Sequence, residues 1–365
     1  MNFVIKNNQK LRTGITTGTC AAAAAQAAAL MLLSGESRNT VTVATNQGIQ
    51  LAVTLSEIKR NENLVMCSVI KDAGDDPDVT DGMEIIATVS KTDNGIVIDG
   101  GEGVGRVTKP GLKIPVGCAA INPVPLQMIE REVLNVCRQT DYHGGLHVLI
   151  SVPKGKDIAG KTMNERLGIV SGISILGTTG IVEPMSEKAI IDTLKAEIDM
   201  YAFNGTKTLL ITPGNYGREF IRTVLGFDIR QAVKCSNYIG EVLDYALLIG
   251  MEKVVLVGHA GKLIKLAGGI MNTHSGVADC RMEIIAAHCA VRGIPSDAIC
   301  AIMNSVTVEA AMSVIRQYGI QQEVWKSIGR KIAFHLNART KGNLLVEFIV
   351  FTQEDGILIH SCTNS

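Results

Sequence analysis

At 365 residues the chain exceeds what one ordinary hydrophobic core organises, so two domains are expected, with room for a third small element. Lysine plus arginine equals aspartate plus glutamate at 35 each, which excludes an overall field for nucleic acid or an anionic membrane, and 4% aromatics leave few rings to stack on bases. No stretch reads as long and apolar enough to span a bilayer and the start, MNFVIKNNQK, lacks a secretion signal's apolar core; nine cysteines without a Cys-x-x-Cys pair fit free thiols in a reducing cytoplasm.

The first element is an Ala-rich helix from about Thr19 to Ser34, ended by Gly35. Its start, ITTGTC, sets Thr16, Thr17 and Gly18 where free helix amides suit either a simple cap or an anion. From Thr40 to about Val107, alternating runs between Gly, Asn and Asp turns predict a mostly antiparallel sheet. A helix over about Leu126 to Thr140 and the strand LHVLISVP follow, so residues 1–190 read as an α+β domain. A connecting helix spans SEKAIIDTLKAEIDMYAFNG. Then TLLITPGNYG, QAVKCSN and KVVLVGHAGK repeat strand, loop, helix, the signature of a parallel sheet. Residues 191–300 are therefore expected to form an α/β, Rossmann-like domain with ligand-binding loops on one rim, PGNYG, CSNYIG and GHAGK. Residues 301–365 read as helices Ser305 to Tyr318 and Gln322 to Leu336, then strands flanking the Asp355-Gly356 turn, completing the fold. ITTG echoes GTTG at Gly177 to Gly180, which could bring two hydroxyl-rich turns into one cleft.

Three motifs lack their required context. GKDIAGKT, Gly155 to Thr162, matches the phosphate-loop pattern, but the following MNERLGIVSGIS is broken by Gly168 and Gly172 where a long helix is needed. GGEGVGRV misses dinucleotide-loop spacing and reads as a turn. KDAGDDPDVTDG gathers Asp72, Asp75, Asp76, Asp78 and Asp81 without calcium-loop positions, and reads equally as a solvated turn or a functional carboxylate cluster. The histidines and cysteines stand at no zinc spacing, so a protein-bound metal is not expected. GHAGKLIKLAGGIMNTHSGVADCRMEI is different. It concentrates His259, Lys262, Lys265, Asn272, Thr273, His274 and Ser275 around glycines after a parallel strand, where amides and cations meet carboxylates.

LRTGITTGTCAAAAA, VIKDAGDDPDVTDG, GEGVGRVTKPGL, AINPVP, TMNERLGIVSGISILGTTGIVEPMS, PGNYG, KCSNYIG and VLVGHAGKLIKLAGGIMNTHSGVADCRMEI, in this order from about Leu11 to His288, resemble the CbiD family. The resemblance implies a two-domain CbiD-like fold, α+β then α/β. It also implies methylation of carbon 1 of cobalt-precorrin-5B by S-adenosylmethionine (SAM), giving cobalt-precorrin-6A in anaerobic cobalamin biosynthesis. Cobalt would travel with the tetrapyrrole substrate rather than with the protein. Cys118 stands before AINPVP where the family pattern leads one to expect an acidic residue.

On that reading SAM, the co-substrate, sits at Gly214, Asn215, Tyr216, Gly217, Ser236, Asn237, Gly258 and His259. The ring carboxylates meet Thr16, Thr17, Gly18, Arg106, Lys109, Asn122, Thr178, Thr179, Gly180, Lys262, Lys265, Asn272, Thr273 and Ser275, while Asp75, Asp76 or His274 takes a proton or steers the ring. A homo-oligomer and transient hand-over with neighbouring pathway enzymes are both compatible with it. The alternatives are a non-catalytic tetrapyrrole carrier without affinity for SAM, or a phosphoryl-transfer enzyme using the Gly155 loop.

Overall fold

Eight alanines in the segment Thr17–Ser34 leave a helix with almost no side-chain bulk and no polar face. In the computed structural model, which describes residues 3–6, 8–226 and 228–363, that helix is the centre of its unit. Ala21 to Ala25 and Ala27 to Ala29 are fully buried, packed against the helix Pro123–Gln139 and the strands Leu64–Ile70 and Glu84–Thr92. One expectation needs correcting: at 18 residues this helix is long and apolar enough to cross a membrane by length and composition. Burial of 72% of that window makes it a core helix here, because alanine faces let neighbouring elements close in from every side.

The chain divides into two compact units, Met1–Glu187 and Lys188–Ser365. The first carries a five-stranded sheet in the order Ile58–Arg60, Leu64–Ile70, Glu84–Thr92, Gly145–Ser151, Ile96–Gly100. All pairs are antiparallel except Gly145–Ser151 with Ile96–Gly100. The strand LHVLISVP thus enters the middle of the sheet, while Thr40–Ala44 and Gln50–Thr54 form a separate hairpin.

In the second unit the sheet runs Ala232–Lys234, Thr208–Thr212, Lys253–His259, Leu345–Thr352, Gly356–Cys362. The first four strands are parallel and the last, at the edge, is antiparallel to its neighbour. KVVLVGH reads as an almost continuous apolar run because both faces are covered. Leu209, Ile211, Leu256, Phe348 and Val350 enter one core, and Val257, Ile349 and Phe351 pack with Phe220 and Ile221 on the other face. The fold is therefore mixed α/β. Helices Arg281–Ala290 and Ser296–Met303 were not expected from the sequence.

Candidate functional site

From Thr208–Thr212 the chain goes to Ala232–Lys234 on one side, then crosses back to Lys253–His259 on the other. At such a reversal the loops leave in opposite directions and open a crevice beyond the carboxyl ends. The loops from Pro213, Cys235 and Ala260 lie there. Helices Asn215–Thr223 and Ile239–Leu248 begin in those loops without a side-chain cap, so their first amides are not satisfied by the preceding residue's side chain.

One lysine ties the three loops together. Lys262 Nζ donates to Pro213 O at 2.8 Å and to Asn237 Oδ1 at 2.9 Å. Burial lowers the Lys262 ammonium below its ordinary 10.5. Asn237 also accepts from the Thr273 hydroxyl at 3.3 Å and, through its carbonyl, from the Thr273 amide at 3.0 Å. Lys265 is buried and donates to Thr273 O at 3.1 Å and Ala278 O at 2.8 Å, so this expected carboxylate ligand holds the 273–278 loop from inside. Ser236 adopts φ 53°, a left-handed conformation that turns the chain toward Asn237.

His259 ends the third parallel strand and caps the short helix after it. Its Nδ1 accepts the Gly261 amide at 3.1 Å, which fixes the neutral ring's proton on Nε2, 3.3 Å from Glu309 Oε1. Burial lowers its pKa and Glu309 opposes the shift. The exposed Tyr216 ring lies 5.7 Å from the imidazole, and Phe351 meets it edge-on at 5.6 Å. Gly217 and Gly258 are packing positions: a Cβ on Gly217 would lie 1.8 Å from Thr212 Oγ1, and one on Gly258 2.8 Å from Leu263 Cγ. His274 and Ser275 are exposed, while Asn272 Oδ1 accepts the His274 amide at 3.1 Å. Sequence reasoning missed Glu309 and the Pro213 carbonyl; neither residue type nor spacing marks them.

In the first unit the echo between ITTG and GTTG is a physical pairing. Gly14–Ile15 pairs with Ile181–Val182, Gly18 N donates to Leu176 O at 2.8 Å, and Thr19 Oγ1 donates to Gly180 O at 2.7 Å. Thr17 Oγ1 accepts from Leu176 N at 2.8 Å and Thr16 Oγ1 caps Thr19 N, so these hydroxyls serve the chain's own amides. Thr178 is exposed and Thr179 bonds to Ile181 O at 2.9 Å. Arg106 pairs with Asp99 at 2.9 Å, Lys109 is exposed, and Asn122 precedes the helix Pro123–Gln139 without a side-chain cap bond.

The aspartates are built into turns. Asp72 grips the Arg12 guanidinium, whose hydrogen bond lowers its pKa. Asp75 accepts from Arg12 N at 2.6 Å, Asp76 from Met185 N at 2.9 Å, and Asp81 from Ala73 N at 2.8 Å. Asp78 meets buried Lys71 at 2.7 Å. The phosphate-loop pattern folds as a five-residue helix, Gly155–Ala159, inside the motif instead of a long one after it. Its first glycine is explained by packing, since a Cβ on Gly155 would lie 2.1 Å from Gly103 O.

Small ligands are therefore to be sought at the carboxyl ends of parallel strands in a mixed α/β protein. The profile described as CbiD matches residues 4–184, and that described as CbiD, C-terminal domain, matches residues 272–362. A cobalt-precorrin-5B C(1)-methyltransferase of Ruminiclostridium cellulolyticum is 50% identical, covering 96% of this chain and 91% of its own. Proteins of the same name from Alkaliphilus metalliredigens and Methanocaldococcus jannaschii are 45% and 42% identical, covering 98% and 92% of this chain and 94% and 92% of theirs. A solved cobalamin biosynthesis protein from Archaeoglobus fulgidus is 30% identical over 76% of this chain and 87% of that one, with a TM-score of 0.42. The chain belongs to the CbiD family.

Proposed function

We propose that the protein is a cobalt-precorrin-5B C(1)-methyltransferase that takes its methyl group from SAM. The observation that carries this reading is the Lys262 bridge, which draws three post-strand loops into one crevice in a chain 50% identical to a protein of that name. The crevice fits SAM. The uncapped start of the helix Asn215–Thr223 and the ammonium of Lys262 suit its carboxylate, and Tyr216 beside His259 offers an aromatic wall to its adenine. The second unit is read as Rossmann-like on the same grounds.

The donor supplies a methyl already activated on a sulfonium: as carbon 1 of the ring forms its new C–C bond, the S–CH3 bond breaks with its electron pair staying on sulfur, and the ring releases a proton to solvent, so that it gains CH2 overall. The protein's own task is positioning. Gly214, Asn215 and Tyr216 hold the donor from one loop, Ser236 and Asn237 from the second, and His259 from the third, with Gly217 and Gly258 as the packing positions behind them. Within the second unit, Asn272, Thr273 and Ser275 are assigned to the ring's acid arms, with His274 steering it. Cobalt is cargo of the substrate, and the nine free cysteines suit a cytoplasmic enzyme.

Incubated anoxically with cobalt-precorrin-5B and SAM, the purified protein should yield a ring heavier by one methylene unit together with S-adenosylhomocysteine. Absence of both products refutes the proposal.

A further inference from the structure

Away from the crevice, the second unit has a groove of about 910 Å³ between the helices Val308–Arg316 and Gln321–Thr340 and the antiparallel edge strand Gly356–Cys362. None of its lining residues belongs to the site described above. Its volume is near the top of the range for small-molecule sites, roughly 300–1,000 Å³. The walls have a consistent chemistry. Ile357 supplies exposed apolar surface over the buried Trp325, and Gly329 lets the edge strand come close, since a Cβ there would touch Ile359 at 3.1 Å.

Around that surface stand three cations, Arg316, Lys326 and Arg330, against one lining acid, Asp355, which Arg316 already engages at 2.5 Å. Lys326 and Arg330 lie four residues apart on one helix face, where like charges repel unless an anion joins them. Trp325 is 3% exposed, yet its indole N–H has no hydrogen-bond partner, a donor that folding alone leaves unsatisfied. The helix Val308–Arg316 links groove and crevice: Glu309 in its first turn meets His259, and Arg316 in its last lines the groove, about 10 Å further along the axis.

We propose that this groove is a second seat for a polycarboxylate ring, apart from the crevice, with the ring's apolar edge on Ile357 and its acid arms on Lys326, Arg330 and Arg316. The proposal rests on the methyltransferase reading for the identity of that ring, a corrin; the recognition itself rests on apolar surface and rim charge.

The test is calorimetric titration of the full-length protein with dicyanocobyrinic acid, which bears seven carboxylates, and with its heptamethyl ester, the same ring without charge. Wild type should prefer the acid. Lys326→Glu with Arg330→Glu, both at exposed positions, should weaken the acid by about tenfold or more and remove the preference, while affinity for S-adenosylhomocysteine and the melting temperature stay unchanged. The neutral pair Lys326→Gln with Arg330→Gln should fall between. Wild type that ignores the acid, or a charge-reversed variant that binds it as wild type does, overturns the groove even if methyl transfer is observed. Charge-sensitive corrin binding without methyl transfer would sink the catalytic reading and leave the groove standing.

Discussion

Replacing Gly217 by alanine puts a methyl 1.8 Å from Thr212 Oγ1, with Val257 O at 3.0 Å and Thr212 Cβ at 3.1 Å. Ordinary van der Waals contact begins at 3.4 Å, so the Oγ1 contact is short by 1.6 Å. Thr212 is fully buried on a strand paired on both sides, so the helix Asn215–Thr223 has to give way. Overpacking of this kind costs about 1–3 kcal/mol. A displacement of about 1 Å at a site that works by positioning costs on the order of 100-fold in rate. Chemical denaturation and S-adenosylhomocysteine calorimetry should both register the change. Thr212→Ala removes the offending oxygen, so the double variant should be more stable than the two single costs predict, by about 1 kcal/mol. A Gly217→Ala protein within about 0.5 kcal/mol of wild type, with unaltered affinity, would refute the packing argument; strict additivity in the double variant would refute the assignment to Thr212.

Asp78→Ala strands the buried Lys71 ammonium and should cost about 3–5 kcal/mol, measured by urea denaturation, whereas Lys71→Met with Asp78→Ala together should cost less. His259 and His288 are both held below their ordinary 6.5, chiefly by burial, so the unfolded chain binds these protons first as pH falls. The stability they contribute is complete above pH 6.5 and is lost below it; His288→Gln should flatten that decline, and an identical pH profile would count against it. Gly155→Ala should destabilise through its clash with Gly103 O, while Lys161→Ala, on an exposed turn, should leave stability and methyl transfer untouched and no ATP binding should be detectable in either. Lys262→Met removes two charge-assisted bonds and should weaken S-adenosylhomocysteine binding by about tenfold or more, with Lys262→Arg recovering little because a fork cannot replace the compact ammonium.

The elements of the fold were largely legible because periodicity is local. TLLIT, KVVLVGH and LVEFIVFT announce buried strands, and the Asp355-Gly356 turn fixes the last hairpin. What escaped depends on long-range placement. Gly145–Ser151 reads as a strand, but nothing in it says that it slips between Glu84–Thr92 and Ile96–Gly100, parallel to one and antiparallel to the other. The apolar helix Thr17–Ser34 shows the limit of composition. Its 18 residues meet a membrane-span threshold, and only the elements packed around its alanines give those residues another apolar environment. Glu309 lies 50 positions beyond its partner His259 in a helix that carries no motif, so chemistry read from residue type alone could not couple them.

Lys262 and Lys265 look interchangeable in sequence, three residues apart amid glycines, yet they face different neighbours and do different work. Lys262 pulls on the loops after the first and second parallel strands, at Pro213 and Asn237; Lys265 pulls from beneath on Thr273 and Ala278. Thr273 in turn bonds to Asn237, so the two lysines close one continuous network that runs from the 213 loop to the 278 loop. Removing either leaves carbonyls without their donor inside a structure that already excludes water around Lys265. Such a network fixes the loops before any ligand arrives, which lowers the ordering cost of binding. In the methyl transfer proposed above the donor is already reactive, so the barrier falls through the alignment of two ligands, and loops that do not have to be organised at the moment of encounter are what that proposal requires.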